Sequence, residues 1–133
     1  MIFLEPSFII SFYAEKSNKH KEAIRILNKV EKKNMYISYM VIAEVLTVLR
    51  KINSKDFIVE DAYNHMVNEI KIIDDTEYYE ESFKSCLDNK IGFFDNLYYI
   101  LMKDLGIKNI ITFDPDFNIF NDVNKISNIK ELV

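Results

Sequence analysis

The segment Asn109-Ile110-Ile111-Thr112-Phe113-Asp114 carries the strongest structural signal of the chain. A short, continuous apolar run of this kind is typical of a buried strand in a parallel sheet, and here it ends in a carboxylate. A second such run, Met1-Ile2-Phe3-Leu4, opens the chain and ends in another acid, Glu5. Because ligand sites form beyond the carboxyl ends of parallel strands, we expect Glu5 and Asp114 to lie at the same edge of one sheet.

Strand-like and helix-like segments alternate along the rest of the chain. Pro6 suits the first position of a helix, and Gly106 suits the cap at the end of another. The patterns predict strands at 1–4, 35–37, 70–73, 109–113 and 125–127, and helices at 7–14, 18–33, 39–52, 58–69, 77–87 and 93–105. Such alternation implies parallel strands joined by right-handed crossovers. The sequence therefore predicts an α/β protein, a three-layer α/β/α sandwich with a central parallel sheet, in one domain spanning 1–133.

The composition is that of a protein with a substantial core and no disulfide framework. The 133 residues include one cysteine, Cys86, so no intrachain disulfide can form, and a reducing compartment is indicated. The apolar start is broken by Glu5-Pro6 and has no basic leader, which is not typical of a signal peptide. No apolar run approaches the roughly 18 residues that span a bilayer. We expect a cytoplasmic protein with no membrane association.

The net charge of −4 conceals a separation of charge along the chain. Residues 16–33 carry seven basic and two acidic groups, whereas residues 56–95 carry three basic and eleven acidic groups. Within the basic segment one stripe recurs at helical spacing, with Lys16 and Lys19 beside it, and consists of Lys21, Arg25, Lys29 and Lys32. This stripe predicts a contact with an anionic partner, although a solvated helix face is the ordinary alternative.

Two further acids interrupt apolar helical segments. Glu44 lies within the apolar run 39–49, where a salt bridge to Arg50 or Lys51 is the structural alternative. Asp95 lies in the first turn of the helix 93–105, where it could simply complement the helix dipole. Carboxylates in apolar surroundings are costly unless something positive lies among them. Together with Glu5 and Asp114 they predict a site for Mg2+ or Mn2+, which favour oxygen ligands.

The order of these motifs resembles that of the PIN-domain ribonucleases, and especially of the VapC-type toxins of toxin–antitoxin pairs. The resemblance covers Phe3 to Phe117 and is most specific from Gly92 onward, where Phe94-Asp95 opens a helix. Leu105-Gly106-Ile107 and then Ile111-Thr112-Phe113-Asp114-Pro115-Asp116-Phe117 follow, and Ile42-Ala43-Glu44-Val45 matches moderately.

The resemblance implies a function and a set of residues. Glu5, Glu44, Asp95 and Asp114 correspond to the acidic quartet that binds metal and catalyses hydrolysis. Supporting hydrogen bonds would come from Ser7 and Thr112, and Asp116 would be a turn or capping group beside them. The activity implied is Mg2+- or Mn2+-dependent cleavage of RNA, with the basic stripe as an RNA contact. The partners implied are a cognate antitoxin protein and a second copy of the chain. The contact between two copies could come from Phe93, Tyr98, Tyr99 and Phe120, although burial in the core explains these residues equally well.

Three other interpretations of the sequence can be compared with this one. The family's first acid is nearly always Asp, and the longer Glu5 opens the alternative of a degenerate module that binds RNA or a protein without cutting. A phosphoacceptor receiver domain would need an acidic pair after the first strand, which Glu5-Pro6-Ser7 does not offer. A phosphate-binding loop is excluded because no glycine-rich segment occurs.

Overall fold

The centre of the molecule is a five-stranded sheet in which every neighbouring pair is parallel. The computed structural model describes residues 1–132, so the last residue of the predicted domain lies outside it. The strands are β1 (Ile2–Leu4), β2 (Met35–Ser38), β3 (Lys71–Ile73), β4 (Asn109–Ile111) and β5 (Asn124–Ile126), in the spatial order β3-β2-β1-β4-β5. The two runs that dominate the sequence, β1 and β4, are therefore adjacent. Leu4 pairs with Ile111, and the Glu5 N–H donates to the Ile111 carbonyl at 3.1 Å.

Among residues 1–132, six α-helices accompany the sheet and complete the predicted α/β architecture. They are α1 (Pro6–Tyr13), α2 (His20–Lys29), α3 (Tyr39–Lys51), α4 (Asp56–Glu69), α5 (Tyr79–Asn89) and α6 (Phe93–Leu105). Helix α1 packs against both α2 and α3, α3 packs against α4, and α5 packs against α6. Gly106 adopts a φ of 70° where α6 ends, a left-handed conformation that favours glycine. The fold class predicted from the sequence is confirmed. Within residues 1–132 no helix combines the length and apolarity that a bilayer crossing requires.

Helix α2 is shorter than the sequence pattern indicated. The helix predicted at 18–33 spans only His20–Lys29. It ends early because the backbone becomes extended at Val30. A 3₁₀ turn, Lys32–Asn34, then leads directly into β2. The apolar spacing continues through Val30, but the chain must leave the helix there to enter the sheet. Lys32 consequently lies outside the helix that carries the other members of the predicted basic stripe.

Two of the aromatic residues proposed as a contact surface between copies belong to the core. Tyr98 is fully buried and Phe120 is 8% exposed, so neither can cover a partner. Phe120 stacks on Tyr99 with ring centroids 4.0 Å apart. Homodimerisation stays a prediction without these two contacts.

Candidate metal centre

Three carboxylates from distant parts of the chain converge at the carboxyl edge of the sheet. Glu5 directly follows β1, Asp114 follows β4 after two residues, and Asp95 lies in the first turn of α6. Each offers one oxygen, and these oxygens all lie within 4.8 Å of one another. The extra methylene of Glu5, relative to the aspartate usual in the resembling family, therefore does not take its carboxylate out of the cluster.

The Glu5 carboxylate is oriented by a network of hydroxyl groups. Its Oε1 accepts hydrogen bonds from the Ser7 N–H at 3.0 Å, from the Ser7 hydroxyl and from the Thr112 hydroxyl at 2.8 Å. The backbone N–H of Phe113 donates to Ser7 Oγ at 2.9 Å, and that of Asp114 donates to Thr112 Oγ1 at 2.9 Å. Because an N–H can only donate, both hydroxyls accept from the backbone and turn their own protons toward Glu5. The network thereby links the end of β1 to the loop that carries Asp114.

Asp95 is positioned by the buried side-chain amide of its neighbour, Asn96. The Asn96 Nδ2 donates to the carbonyls of Ile91 and Gly92, each at 3.1 Å. The same amide exchanges two hydrogen bonds with the side chain of Asn89, at 2.8 and 3.2 Å. These bonds hold the turn that precedes α6 and thereby fix the position of Asp95 in the first turn of the helix. The sequence did not predict this part of Asn96. The feature that could have identified it is an amide side chain on the buried side of an amphipathic helix.

Glu44 stands apart from the three clustered carboxylates. Its Oε1 accepts a hydrogen bond at 3.2 Å from the hydroxyl of Tyr98. As with Asn96, the sequence did not predict that Tyr98 would support an acidic residue. Burial raises the pKa of Glu44, and the charge of Asp114 adds to this rise, so the two carboxylates face a common region. The alternative salt bridge to Arg50 does not form, because that guanidinium pairs with Asp56 at 2.8 Å.

The electrostatics of the cluster oppose the ionisation of its members. Burial raises the pKa of Glu5 to about 7. Burial, followed by the negative charges of Asp114, Asp116 and Glu44, also raises the pKa of Asp95 to about 7. Among residues 1–132, none of the clustered carboxylates forms an ion pair with a basic side chain. An uncompensated group of hard oxygen ligands is the donor set that Mg2+ and Mn2+ fit.

Asp116 lies beside the cluster rather than within it. It is exposed, and its backbone N–H donates to the Asp114 Oδ1 at 2.9 Å, which caps the 3₁₀ turn Pro115–Ile119. Its charge contributes to the raised pKa of Asp95. Asp116 therefore lies within the turn, but the capping carboxylate is that of Asp114. A supporting part for the Asp116 side chain stays a prediction.

The predicted basic stripe is partly engaged in ion pairs within the protein. Arg25 pairs with Glu22 at 3.2 Å, and Lys32 pairs with Glu69 at 2.5 Å. None of its four members, Lys21, Arg25, Lys29 and Lys32, lines the cleft that contains Asp114. Their contact with RNA stays a prediction.

Solved structures with the same fold come from several bacteria. The toxin VapC20 of Mycobacterium tuberculosis, described as cleaving the sarcin–ricin loop, is 20% identical with a TM-score of 0.81, over 92% of this chain and 97% of that one. A toxin–antitoxin complex from Klebsiella pneumoniae is 16% identical with a TM-score of 0.70, over 96% and 97%. VapBC2 from Rickettsia felis, bound to a promoter DNA fragment, is 19% identical with a TM-score of 0.63, over 95% and 98%.

The comparisons of sequence match a family model but no individual curated protein. No curated protein sequence matches the chain significantly. The family model described as the PIN domain matches residues 2–123, which include β1, β4 and all four acids. The chain therefore belongs to the PIN domain family.

Proposed function

We propose that this protein is a metal-dependent endoribonuclease and the toxin of a toxin–antitoxin pair. The observation that carries the proposal is the convergence of Glu5, Asp95 and Asp114, with raised pKa values for two of them and no basic partner among residues 1–132. Membership of the PIN domain family supports it. So do the neighbours in structure, since one is described as a toxin that cleaves the sarcin–ricin loop and another as a toxin–antitoxin complex.

Each side chain has a distinct part in this proposal. Asp95, Asp114 and the second oxygen of Glu5 would hold the cation, because Oε1 of Glu5 is occupied by its three donors. Glu44, steadied by Tyr98, would complete the acidic set from the side. Ser7 and Thr112 keep the Glu5 carboxylate in one orientation, which limits the reorganisation needed when a cation or substrate arrives.

A bound divalent cation supplies positive charge that offsets the phosphodiester oxygens and favours ionisation of water at neutral pH. The protein's contribution is a partly buried set of carboxylates whose joint ionisation is costly without such a charge. In-line attack by water on the phosphorus breaks the bond to the 3′ oxygen, which leaves with a proton as a 3′-hydroxyl. The other product then carries a 5′-phosphate.

A cleavage assay tests the proposal. Purified protein is incubated with labelled single-stranded RNA in EDTA, Mg2+ or Mn2+, and the ends of the products are identified. We expect cleavage only with a divalent cation, and loss of cleavage in Asp95→Asn. Asp61→Asn, which neutralises an exposed carboxylate on α4, is the matched control and should cleave normally. Cleavage that persists in Asp95→Asn would exclude the acidic cluster as the active centre.

The Glu5→Asp variant separates the enzyme from the alternative of a degenerate binding module. If the unchanged protein cleaves with Mg2+ or Mn2+, the longer side chain is compatible with catalysis. If it binds RNA without cleaving and Glu5→Asp restores cleavage, the chain is a binding module that has lost activity through this one methylene.

An antitoxin is the protein partner that we propose for this site. A basic side chain delivered by such a partner would supply the positive charge that the cluster lacks, and an amphipathic segment would supply the binding area. Co-expression with a small DNA-binding protein encoded beside this chain should suppress both cleavage and growth arrest. Unchanged cleavage in a purified complex of the two would refute this mode of inhibition.

A further inference from the structure

The cleft that contains Asp114 adjoins the acidic cluster on the side of β5. It has a volume of about 330 Å³, and Asp114 and Thr112 form the wall that it shares with the cluster. Lys19 and Lys125 also line it, although they come from opposite ends of the chain. Ligand clefts typically occupy about 300–1,000 Å³, so this one has room for a group of about nucleotide size.

Lys19 is presented by a loop whose backbone is held in place. Its N–H donates to the Ser17 hydroxyl oxygen at 3.2 Å, and that hydroxyl donates to Ser11 Oγ at 3.2 Å. The ammonium group lies 5.8 Å from the centroid of the Phe113 ring. Within residues 1–132, Lys19 has no acidic side chain at ion-pair distance, so its charge remains available to a ligand.

Lys125 enters the same cleft from β5. Its ammonium group donates to the side-chain oxygen of Asn118, a neutral partner that orients the lysine without cancelling its charge. Glu131 is the other acid in the cleft wall besides Asp114. Its Oε1 accepts from the N–H and hydroxyl of Ser127 at 3.3 and 3.0 Å and from the Asn128 amide at 2.6 Å. It forms no ion pair with Lys125 in the described part of the chain.

We propose that this cleft, hereafter the Lys19–Lys125 cleft, binds the RNA phosphodiester next to the one being cut. The inference rests on the proposed function, because it takes the acidic cluster as the cleavage site. A cluster of carboxylates repels a phosphate chain, so the strand needs cationic contacts beside it. The Lys19–Lys125 cleft provides two unpaired ammonium groups at that place, whereas Arg25 and Lys32 of the basic stripe are already paired.

The salt dependence of RNA binding measures these contacts. For single strands, the logarithm of the association constant falls with the logarithm of salt concentration with a slope of about −0.7 per phosphate contact. In an inactive Asp95→Asn background without metal, Lys19→Ala/Lys125→Ala removes the contact to one phosphodiester and should make the slope shallower by about 0.7. Lys19→Arg/Lys125→Arg keeps both charges and should keep the slope. Lys84→Ala/Lys108→Ala removes two charges elsewhere, on α5 and before β4, and should leave the slope unchanged.

The outcomes separate this inference from the function on which it rests. Equal slopes for the Lys19→Ala/Lys125→Ala variant and the Lys84→Ala/Lys108→Ala control would overturn the cleft as a phosphate site. If the slopes differ as expected but the unchanged protein cleaves no RNA, the cleft stands and the nuclease proposal fails. Should the double alanine variant not fold, Lys19→Gln/Lys125→Gln takes its place, with the same expected change in slope of about 0.7. An unchanged slope in that variant would again refute the cleft.

Discussion

Replacing Glu5 by Gln tests whether burial of the Glu5 charge destabilises the metal-free protein. Glu5 is 4% exposed, and burial raises its pKa from near 4.5 to about 7. The Glu5→Gln side chain keeps the Oε1 acceptor for Ser7 and Thr112 but cannot ionise. We therefore expect the variant to be more stable than the unchanged protein at pH 8 and nearly as stable at pH 5.

The magnitude follows from the two pKa values. Between pH 4.5 and about 7 the folded protein holds a proton on Glu5 that the unfolded chain has lost. The free energy of unfolding therefore falls as the pH rises through this window, and the loss is complete above it. At about 1.36 kcal/mol per pH unit, the loss is about 3 kcal/mol. This is a large share of the roughly 5–15 kcal/mol that stabilises an ordinary domain.

Urea unfolding in EDTA at several pH values measures this difference. Asp95 titrates in an overlapping range. The pH profiles are therefore also compared in an Asp95→Asn background, where the difference reports Glu5. Glu60→Gln, at an exposed position on α4, is the matched control and should follow the unchanged protein. Adding Mn2+ at pH 8 should restore stability to the unchanged protein more than to Glu5→Gln. Identical pH profiles for the unchanged protein and Glu5→Gln would refute the reasoning.

Three substitutions probe the groups that hold the carboxylates. Thr112→Val leaves the Asp114 N–H unpaired and should lower the free energy of unfolding by about 1–3 kcal/mol. Titration calorimetry should show metal affinity about 10–100-fold weaker, and unaltered affinity would contradict this. Tyr98→Phe releases Glu44 and should raise the metal concentration needed for half-maximal cleavage by about 10-fold, and an unshifted titration curve would argue against the hydrogen bond. Asn96→Ala should cost about 2 kcal/mol in urea unfolding, and a cost near zero would show that the amide does not hold the turn before α6.

Some features of the site could be anticipated from the sequence because they depend on local pattern. The apolar runs before Glu5 and Asp114 predict buried strands, and parallel strands place their carboxyl ends at one edge. The structure brings these two acids together as that argument requires. Asp95 was predicted from its position at the start of a helix together with the family resemblance. The position alone was weak evidence, because an acid in a first helical turn is common.

Other features escaped the sequence because they depend on contacts between remote segments. The end of α2 at Lys29 follows from where β2 enters the sheet, so apolar spacing alone extended the helix too far. The hydrogen bond from Tyr98 to Glu44 joins residues 54 positions apart on two different helices. No periodicity within either helix reveals such a pair.

The amino-acid pattern was sufficient to establish the parallel α/β architecture and the edge at which the acids gather, because both follow from short-range alternation of apolar segments and turns. Folding in three dimensions decided the rest: the separation of Glu44 from the other carboxylates, the hydroxyl network around Glu5, and the meeting of Lys19 with Lys125 in one cleft. Those arrangements depend on the packing of helices against the sheet, and an exposed lysine looks the same in a sequence whether it faces open solvent or a phosphate.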